Sequence, residues 1–434
     1  MTEPAAIDDT TEGAAGAATR RLTDLACGFC GLGCDDLEVA VTGRAVRPRT
    51  ACPEAAVLLR RGPGPPPGPR VEGREVPLAQ AVSAAARHLA ASRAAVFSGL
   101  GTDVDGLRGL ADLAVRFGAS LDHAGSEGLF RNLDTLQRTG WIAATLAELR
   151  TRCDVLVVIG ADPRRAYGRF FERAVPPEAL FTDDRTMVFL GSGPEAATRD
   201  QLAGHRLIEV PVVPGFLGEA LAGLEAFLRG RGAAEFAGAL DGALGADLAE
   251  LAELLRAARY AVFVWDAADL PAPQAEEVVH RAAAIVAQLN RAGRAAVFPL
   301  GGRDNVVGAN QVMLWRFGHP LRTLVDGRAS RHAPDLYATA VALRDADLLL
   351  HADSFRPRPP PAFSAGPVIA LAHPATEFAR EPEVFIPVGT PGVDHAGTVF
   401  RMDGIVCLPL EKLRDAGLPR LADVAAAIRA EDGA

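Results

Sequence analysis

Apolar and polar residues follow two patterns along the chain, and each pattern predicts one kind of element. Short segments that are apolar throughout predict buried strands at 94–99, 153–160, 186–191, 207–212, 260–266, 295–301, 347–353 and 367–372. Longer segments with apolar positions three and four residues apart predict helices at 78–92, 103–119, 167–175 and 274–292. Strands that are apolar on both faces and alternate with helices are typical of parallel sheets covered on both sides. The sequence therefore predicts an α/β fold with two doubly wound, mostly parallel units.

Composition along the chain divides it into five predicted regions. In order, they are a disordered tail at 1–19, a four-cysteine module at 20–60, a Pro/Gly-rich linker at 61–74, a first α/β unit at 75–255 and a second at 256–434. Asp403-Gly404 lies between two apolar segments and predicts a hairpin over 397–410. A final helix is expected at about 410–430.

The charge balance and the lack of long apolar segments exclude some classes of partner. The chain has 45 basic and 54 acidic residues, a formal net charge of −9, so no basic surface for nucleic acid is expected. No apolar run reaches 18 residues, and residues 1–19 have no apolar targeting core, so we expect neither a membrane span nor a signal peptide. The cysteines are few and clustered, which favours a cytoplasmic protein with a metal site over a disulfide framework.

The clustered cysteines have the spacing of a metal-binding loop. Cys27, Cys30 and Cys34 follow the pattern C-x2-C-x3-C, and 17 residues separate Cys34 from Cys52. Three ligands on one tight loop with a distant fourth favour a [4Fe–4S] cluster, although zinc or a set of free thiols also fits the spacing. Cys153 and Cys407, outside this group, are expected to be buried thiols.

Four segments resemble one known family. They are "CGFCGLGCDDLEV" (27–39), "CDVLVVIGADPRRAYGRF" (153–170), "GGRDNVVGANQVMLWRFGHP" (301–320) and "IPVGTPGVDHAGTVFRMDG" (386–404). Together they resemble the B subunit of formylmethanofuran dehydrogenase, a member of the molybdopterin oxidoreductase superfamily. The resemblance implies that superfamily's fold, a small four-cysteine module ahead of tandem α/β units. It extends over nearly the whole chain after the tail.

The resemblance implies one of two activities. In methanogens the family's B subunit carries a molybdenum or tungsten pterin and interconverts CO2 and formate. In methylotrophic bacteria the related formyltransferase/hydrolase complex passes a formyl group from tetrahydromethanopterin to a methanofuran-like carrier and releases formate. The chemistry there belongs to an amidohydrolase-like A subunit and a formyltransferase, which with a C-type subunit are the partners that the resemblance implies.

The absence of one cysteine favours the second branch. A redox-active relative needs a thiolate or selenolate on its metal, and the resemblance places that ligand near residues 120–130. No cysteine lies between Cys52 and Cys153, and the nearest counterparts by position are Ser126 and Glu127. We therefore expect the molybdopterin or tungstopterin to be absent and the protein's own oxidoreductase activity to be lost. A redox-active protein with Glu127 or Ser126 completing the metal is the alternative.

Five residues correspond to the family's pterin loops. They are Gly160, Asp162, Asn305, Gly308 and Asn310, and they either still hold a pterin or serve the fold alone. A carboxylate at residue 162, where the family has asparagine, opposes anionic phosphates unless it caps the helix that follows. The asparagines are expected to bond backbone groups, and Trp315 is expected in a core or an interface.

No catalytic residue is assigned to this chain. His123 and Glu127 are four residues apart and could form an acid–base pair, but local roles are expected for both. The sequence contains no HxH or HExxH pattern for a hydrolytic zinc site. The sequence therefore predicts a mainly structural B-like subunit of a formyltransferase/hydrolase complex.

Overall fold

The computed structural model describes residues 18–431 except 177, 183 and 232–241. Residues 1–17 of the predicted tail lie outside this part of the chain, and the first strand already begins at Thr19. Among the described residues, no helix has the length and apolar character needed to cross a membrane.

A small antiparallel sheet carries the cysteine loop. Its strands are β1 (Thr19–Leu25), β2 (Leu37–Thr42) and β3 (Ala45–Thr50), in the order β1-β2-β3, and helix α1 (Pro53–Leu59) follows. The loop between β1 and β2 holds three of the cysteines, and Cys52 is the N-cap of α1. The module at 20–60 is thus a three-stranded sheet and one helix around the cysteines.

A parallel sheet of five strands lies in the middle of the chain, in the order β10-β9-β8-β11-β12. The strands are β8 (Val155–Gly160), β9 (Thr186–Gly191), β10 (Arg206–Pro211), β11 (Ala261–Asp266) and β12 (Ala295–Leu300). All pairs in this sheet are parallel. Their apolar side chains are buried on both faces, as the continuous apolar segments predict.

A mixed sheet of nine strands combines early and late parts of the chain, in the order β14-β13-β7-β6-β15-β16-β17-β4-β5. The strands are β4 (Arg70–Val71), β5 (Arg74–Glu75), β6 (Ala95–Gly101), β7 (Ala119–Leu121), β13 (Thr323–Asp326), β14 (Ala329–His332), β15 (Leu348–Asp353), β16 (Val368–Ala372) and β17 (Val384–Pro387). The central strands β7, β6, β15, β16 and β17 are parallel, and the outer pairs are antiparallel.

Helices pack on both large sheets. They are α2 (Leu78–Ala91), α3 (Val104–Phe117), α4 (Ser126–Thr139), α5 (Leu146–Arg152), α6 (Phe170–Ala174), α7 (Ala196–Gln201), α8 (Leu217–Leu228), α9 (Gly242–Ala257), α10 (Ala275–Leu289), α11 (Val306–Phe317), α12 (Thr339–Ala342) and α13 (Leu421–Glu431). Asp103 caps α3 by accepting a hydrogen bond from the Gly106 amide, and Thr145 and Glu148 form a capping box on α5. The fold is α/β with parallel sheets, as predicted.

The sheets do not divide the chain at 255/256, where the sequence analysis placed the boundary between two units. Strands β11 and β12 follow that position but pair with β8 in the five-stranded sheet. Strand β6 precedes it but pairs with β15, about 250 residues later. Strand β4, inside the predicted linker at 61–74, pairs with β17. Strand pairing depends on contacts between distant residues, and apolar strands of similar composition do not specify their neighbours.

The predicted hairpin is present, but the final helix is shorter than expected. Strands β18 (Gly397–Phe400) and β19 (Cys407–Leu410) pair antiparallel around a turn in which Gly404 has a φ of +69°. Helix α13 begins at Leu421 rather than near 410. The amides of Leu413 and Arg414 both donate to the Val393 carbonyl, which holds the chain away from helical geometry.

A buried ion pair fixes this irregular segment to the cysteine module. Arg414 Nε donates to Asp394 Oδ1 at 2.7 Å, and the two side chains are 5% and 1% exposed. A second nitrogen of Arg414 donates to the Arg44 carbonyl, beside β3, at 2.9 Å. The guanidinium therefore joins the C-terminal segment to the first sheet.

Replacing Arg414 by methionine should lower the free energy of unfolding by about 3–5 kcal/mol, because Asp394 would be left as a buried, unpaired charge. Urea unfolding of the purified chain measures the change. Lys412→Met is the matched control, since the Lys412–Asp415 pair is exposed and should contribute less than about 1 kcal/mol. Equal effects of the two substitutions would contradict the expectation.

Candidate functional site

A cavity of about 600 Å³ lies where the five-stranded sheet meets helices and loops of the rest of the chain. Its walls come from the segments after β8, β11 and β12, most of α4, the first turn of α11, and the hairpin turn at 402–404. In parallel α/β sheets, ligands bind beyond the carboxyl ends of the strands, where this cavity is located.

The cavity walls are mainly apolar. The apolar lining side chains are Leu129, Leu133, Leu136, Trp141, Tyr167, Pro299, Leu300, Val306, Val307 and Met402. Trp141 also packs edge-on against Trp265 of β11, with ring centroids 6.0 Å apart. Gly301 and Gly302 bring the backbone close to the cavity on one side. This wall suits an apolar or flat group more than a strongly hydrated one.

The polar groups of the cavity are acids together with arginines that have other partners. Tyr167 donates its hydroxyl to Asp266 Oδ2 at 3.2 Å, and burial raises the pKa of Asp266. Arg303 donates to the Ala166 carbonyl at 2.7 Å and lies over the Tyr167 ring. Arg165 pairs with Glu195 at 2.6 Å. Both cations are thus engaged, while the carboxyl groups Asp266 and Asp269 line the same space.

The cysteine loop supports one wall of the cavity. The Asp304 amide donates to the Phe29 carbonyl at 2.8 Å, and the Met402 amide donates to the Gly31 carbonyl at 2.7 Å. Gly31 has a φ of +79°, and a Cβ there would lie 2.8 Å from the backbone of Gly302. Only glycine satisfies both the conformation and the close contact.

The four predicted metal ligands lie in one neighbourhood. Cys27, Cys30 and Cys34 are buried, and the Cys27 amide donates to the Cys34 carbonyl at 2.7 Å. Cys52 is half-buried, and its Sγ accepts from the Ala55 amide at 3.5 Å. Burial, with a smaller contribution from the neighbouring cysteines, raises the pKa of Cys30 to about 12 and that of Cys34 to about 11. Several of these thiols could ionise together only beside a compensating cation.

In the part of the chain that the structure describes, no three His, Cys, Asp or Glu side chains are arranged to hold a metal ion. The cysteine ligand set therefore stays a prediction. Of the two other cysteines, Cys153 is buried as expected but Cys407 is exposed, because it lies on the outward side of β19.

The predicted pterin loop after β8 is closed by its own hydrogen bonds. Asp162 is 3% exposed, and its two carboxylate oxygens accept from the amides of Arg164 and Glu195, both at 2.9 Å. The side chain is the N-cap of a short 3₁₀ turn, which is the capping role considered from the sequence. Gly160 has a φ of +88° and packs against Gly191. Neither residue lines the cavity.

The asparagines of the third family segment also bond backbone groups. Asn305 donates to the Thr102 carbonyl and accepts from the Phe400 amide, both at 2.9 Å. Gly308 leaves space for that side chain, because a Cβ there would lie 2.3 Å from Asn305 Oδ1. Asn310 accepts from the Leu321 amide at 3.3 Å. These contacts hold α11 against β18 and the segment before β13, and none of the three residues lines the cavity.

Glu127, where the resemblance places a metal ligand, is paired with arginines. Its carboxylate lies 2.8 Å from Arg322 and 3.6 Å from Arg131, and the side chain is 64% exposed. Arg322 also lies over the Phe130 ring and donates to Ser126 at 3.3 Å. The carboxylate is therefore neutralised from within the chain. The sequence analysis missed Arg322 as a partner, because it lies 195 residues from Glu127 along the chain.

His123 does not form an acid–base pair with Glu127. Its ring is buried, with Nδ1 accepting from the Gly125 amide at 2.8 Å and Nε2 donating to the Asp304 carbonyl at 3.1 Å. Burial lowers the pKa of His123 to about 4. The neutral ring joins the start of α4 to the loop before α11.

A network of buried ion pairs beside the cysteine loop has no counterpart among the predicted residues. Asp304, 2% exposed, accepts from Arg356 and, at 2.7 Å, from Arg358. Arg358 also donates to Asp353 at 2.7 Å, and Arg356 donates to Glu54 at 2.8 Å. Burial raises the pKa of Asp353 to about 7. The alternating arginines and prolines of "RPRPPP" (356–361) were the signal in the sequence.

Acidification should destabilise the folded chain through His123. The residue is neutral when buried but titrates near pH 6.5 in an unfolded chain, so the unfolded state binds the proton first. Its stabilising contribution is present above about pH 6.5 and is lost at up to about 1.4 kcal/mol per pH unit as the pH falls toward about 4. Urea unfolding of wild type and His123→Gln between about pH 6.5 and pH 4 measures the effect. The unfolding free energy of the variant should fall less steeply with pH, because it lacks the buried imidazole.

The matched control is His280→Gln, because His280 is exposed on α10 and unfolding changes its surroundings little. Wild type and this control should show the same pH slope. Parallel slopes for wild type and His123→Gln would contradict the prediction.

Comparison with known proteins places the chain among related subunits, although no protein-family model matches it. It is 28% identical over 336 residues to the B subunit of the formyltransferase/hydrolase complex of Methylorubrum extorquens, covering 76% of this chain and 87% of that protein. It is 26% identical over 413 residues to the B subunit of the tungsten-containing formylmethanofuran dehydrogenase 2 of Methanocaldococcus jannaschii, covering 88% and 91%.

A solved structure gives the same result. The fold matches a chain of the Methylorubrum extorquens formyltransferase/hydrolase complex, determined in complex with methylofuran, with a TM-score of 0.72 and 28% identity. The match covers 84% of this chain and 99% of that one. The resemblance predicted from the sequence is therefore confirmed: the chain is a homologue of the B subunits of formyltransferase/hydrolase and formylmethanofuran dehydrogenase complexes.

Proposed function

We propose that the chain is the B-like subunit of a formyltransferase/hydrolase complex in tetrahydromethanopterin- and methanofuran-dependent one-carbon metabolism. In this role the protein supports the assembly that converts formaldehyde-derived formyl groups to formate, and it performs no redox step of its own. Similarity to the B subunit of such a complex, over 87% of that protein, supports this function.

The ion pair between Glu127 and Arg322 is the main support for the proposal that redox chemistry is lost. A molybdenum or tungsten centre of this family needs a soft sulfur or selenium donor, and residue 127 offers a hard oxygen donor instead. That oxygen is already bound to Arg322 at 2.8 Å. A carboxylate held by guanidinium groups is a poor replacement for a thiolate, because binding a metal would require breaking the ion pair.

Side chains of the loops that would surround a pterin dinucleotide also form hydrogen bonds and ion pairs with other groups of the chain. Arg303, Arg356 and Arg358, near the cavity and the cysteine loop, each pair with carboxylates or a carbonyl of the chain itself. Asp162 places a buried carboxylate in the first loop. Phosphate groups would meet the charge of Asp162 where these three arginines are already engaged, which is unfavourable at low dielectric. These residues do not fit the cofactor.

The proposed partners are the other subunits of such a complex: an amidohydrolase-like A subunit, a C-type subunit and a formyltransferase. The related solved structure is an FhcABCD assembly, which supports membership of a heteromeric complex. A cytoplasmic location, without nucleic-acid or membrane partners, agrees with the net charge of −9.

For the cysteine loop, we propose a structural metal, either a [4Fe–4S] cluster or zinc, held by Cys27, Cys30, Cys34 and Cys52. The donor chemistry fits either group, because both bind four thiolates. Such a metal would contribute folding free energy to the small first sheet. Burial raises the pKa of Cys34, and the nearby Arg169 and Arg173 offset part of that rise, which would favour the thiolate.

A redox-active component of formylmethanofuran dehydrogenase is the second candidate function. The observation in its favour is that a tungsten-containing relative matches 88% of this chain, more than the 76% matched by the formyltransferase/hydrolase relative. In that case Glu127 would be a metal ligand and Glu127→Gln would abolish formate oxidation.

The complex purified from its host should contain neither stoichiometric pterin nor molybdenum or tungsten, and should not reduce a dye with formate. Elemental analysis, pterin extraction and the dye assay measure these properties. Glu127→Gln should leave formyl transfer and hydrolysis within about twofold of wild type, because the Glu127 carboxylate is 64% exposed and Arg322 keeps Asp122 within 3.6 Å. Stoichiometric tungsten or molybdenum with formate oxidation, lost in this variant, would establish the second candidate instead.

Replacing Cys30 by serine should remove the metal of the cysteine loop and lower the thermal unfolding midpoint of the chain. Iron and zinc content, visible absorption and the unfolding curve are the measurements. Cys407→Ser is the control, because Cys407 is an exposed thiol outside the loop. Metal content unchanged in Cys30→Ser would argue against a metal at these residues.

A further inference from the structure

Large apolar side chains are exposed on the elements that line the cavity, namely α4, α11 and the hairpin turn. Together they form the mouth surface, which consists of Leu136, Leu314, Trp315 and Ile405, with exposures of 39%, 39%, 59% and 68%. Leu136 itself lines the cavity, and Ile405 follows Gly404, which also lines it. Val307 lines the cavity from the first turn of α11, two turns before Trp315 on the same helix. Exposed apolar residues grouped in this way are typical of an interface.

Trp315 is the largest member of the mouth surface. One side of its ring packs on Phe400 of β18, with ring centroids 5.7 Å apart, and more than half of the side chain remains exposed. It is therefore not a core residue, which leaves the interface role considered from the sequence. Tryptophan is strongly enriched among the residues that dominate protein–protein binding energy.

The carboxylates inside the cavity indicate which kind of side chain a docking partner would place there. Asp269 is exposed and makes no side-chain hydrogen bond or ion pair with any residue that the structure describes. Asp266 lies deeper, and Arg165 and Arg303 are engaged by other groups. Arg165 is shared by Glu195, Asp162 and Asp269, so carboxylates outnumber the cation next to the apolar walls. Lysine and arginine suit this environment, because their apolar stems pack along such walls while the charged end meets a carboxylate.

We propose that another protein of the complex docks on the mouth surface and inserts a lysine or arginine, flanked by apolar residues, toward Asp266 and Asp269. The inference rests on the proposed function, since the partner is taken to belong to the same complex. The cavity beyond the carboxyl ends of the five-stranded sheet would then be a docking socket. A phosphate-bearing ligand is disfavoured there by the same two carboxylates.

Binding of the purified chain to the purified assembly of the remaining subunits tests the proposal. Ile405→Asp and Asp269→Lys should each raise the Kd at least about tenfold. The first places a charge in an apolar contact, and the second reverses the charge of the residue that would meet the partner's cation. Both side chains are exposed, so thermal unfolding should match wild type. Leu180→Asp is the control, because Leu180 is 77% exposed near the amino end of the five-stranded sheet, away from the cavity. The control should stay within about twofold of wild type.

A photo-crosslinker attached at residue 405, in Ile405→Cys combined with Cys407→Ser, identifies the contact. The expected product is a partner peptide with lysine or arginine between apolar residues, and exchanging that residue for glutamate should restore binding to Asp269→Lys. Crosslinks only to a second copy of the chain, or wild-type Kd values for both variants, would overturn the docking proposal. Failure of the wild-type chain to bind any of the subunits would instead overturn the proposed function, and the docking proposal with it.

Discussion

The buried carboxylate of Asp304 is the contact on which the arrangement of the loops depends. This residue has a φ of +52°, and its side chain accepts from Arg356 and Arg358, which come from the loop after β15. Its own amide donates to Phe29 in the cysteine loop. Three segments from different parts of the chain thus meet at one charge, which would be strongly destabilising if left unpaired. The carboxylate of Asp304 thus holds the loop after β15, and its amide holds the cysteine loop against the cavity wall.

Residues of the family segments hold the fold together in a similar way. Asn305 follows Asp304 and joins α11 to β18 through two backbone groups, and Asp162 closes the loop after β8 in the same manner. These residues satisfy buried backbone groups, a role that the fold needs whether or not a ligand is bound. The cations that would attract phosphate neutralise the chain's own acids.

The sequence predicts the elements better than their arrangement. Strands such as β9 and β11 are apolar throughout and were located to within one residue, whereas β1, with mostly exposed residues, shows no such signal. Strand order was not predictable, since β6 and β15 differ little in composition from strands of the other sheet. At the site, the spacing of the cysteines located their loop, and local capping chemistry accounted for Asp162. The partners of Glu127 and Asp304 come from distant segments, so no local pattern could reveal them.

The interleaving of the sheets bears on how the chain folds during synthesis. Strands β8–β12 occupy a continuous stretch, 155–300, and can pair with one another as soon as they leave the ribosome. Strands β6 and β7 are made earlier, but β6 can pair with β15 only after about 250 more residues have been synthesised. In that interval an apolar edge is open to wrong pairing. Stalling or truncation between residues 300 and 348 therefore leaves an aggregation-prone nascent chain, even though one complete sheet has already formed.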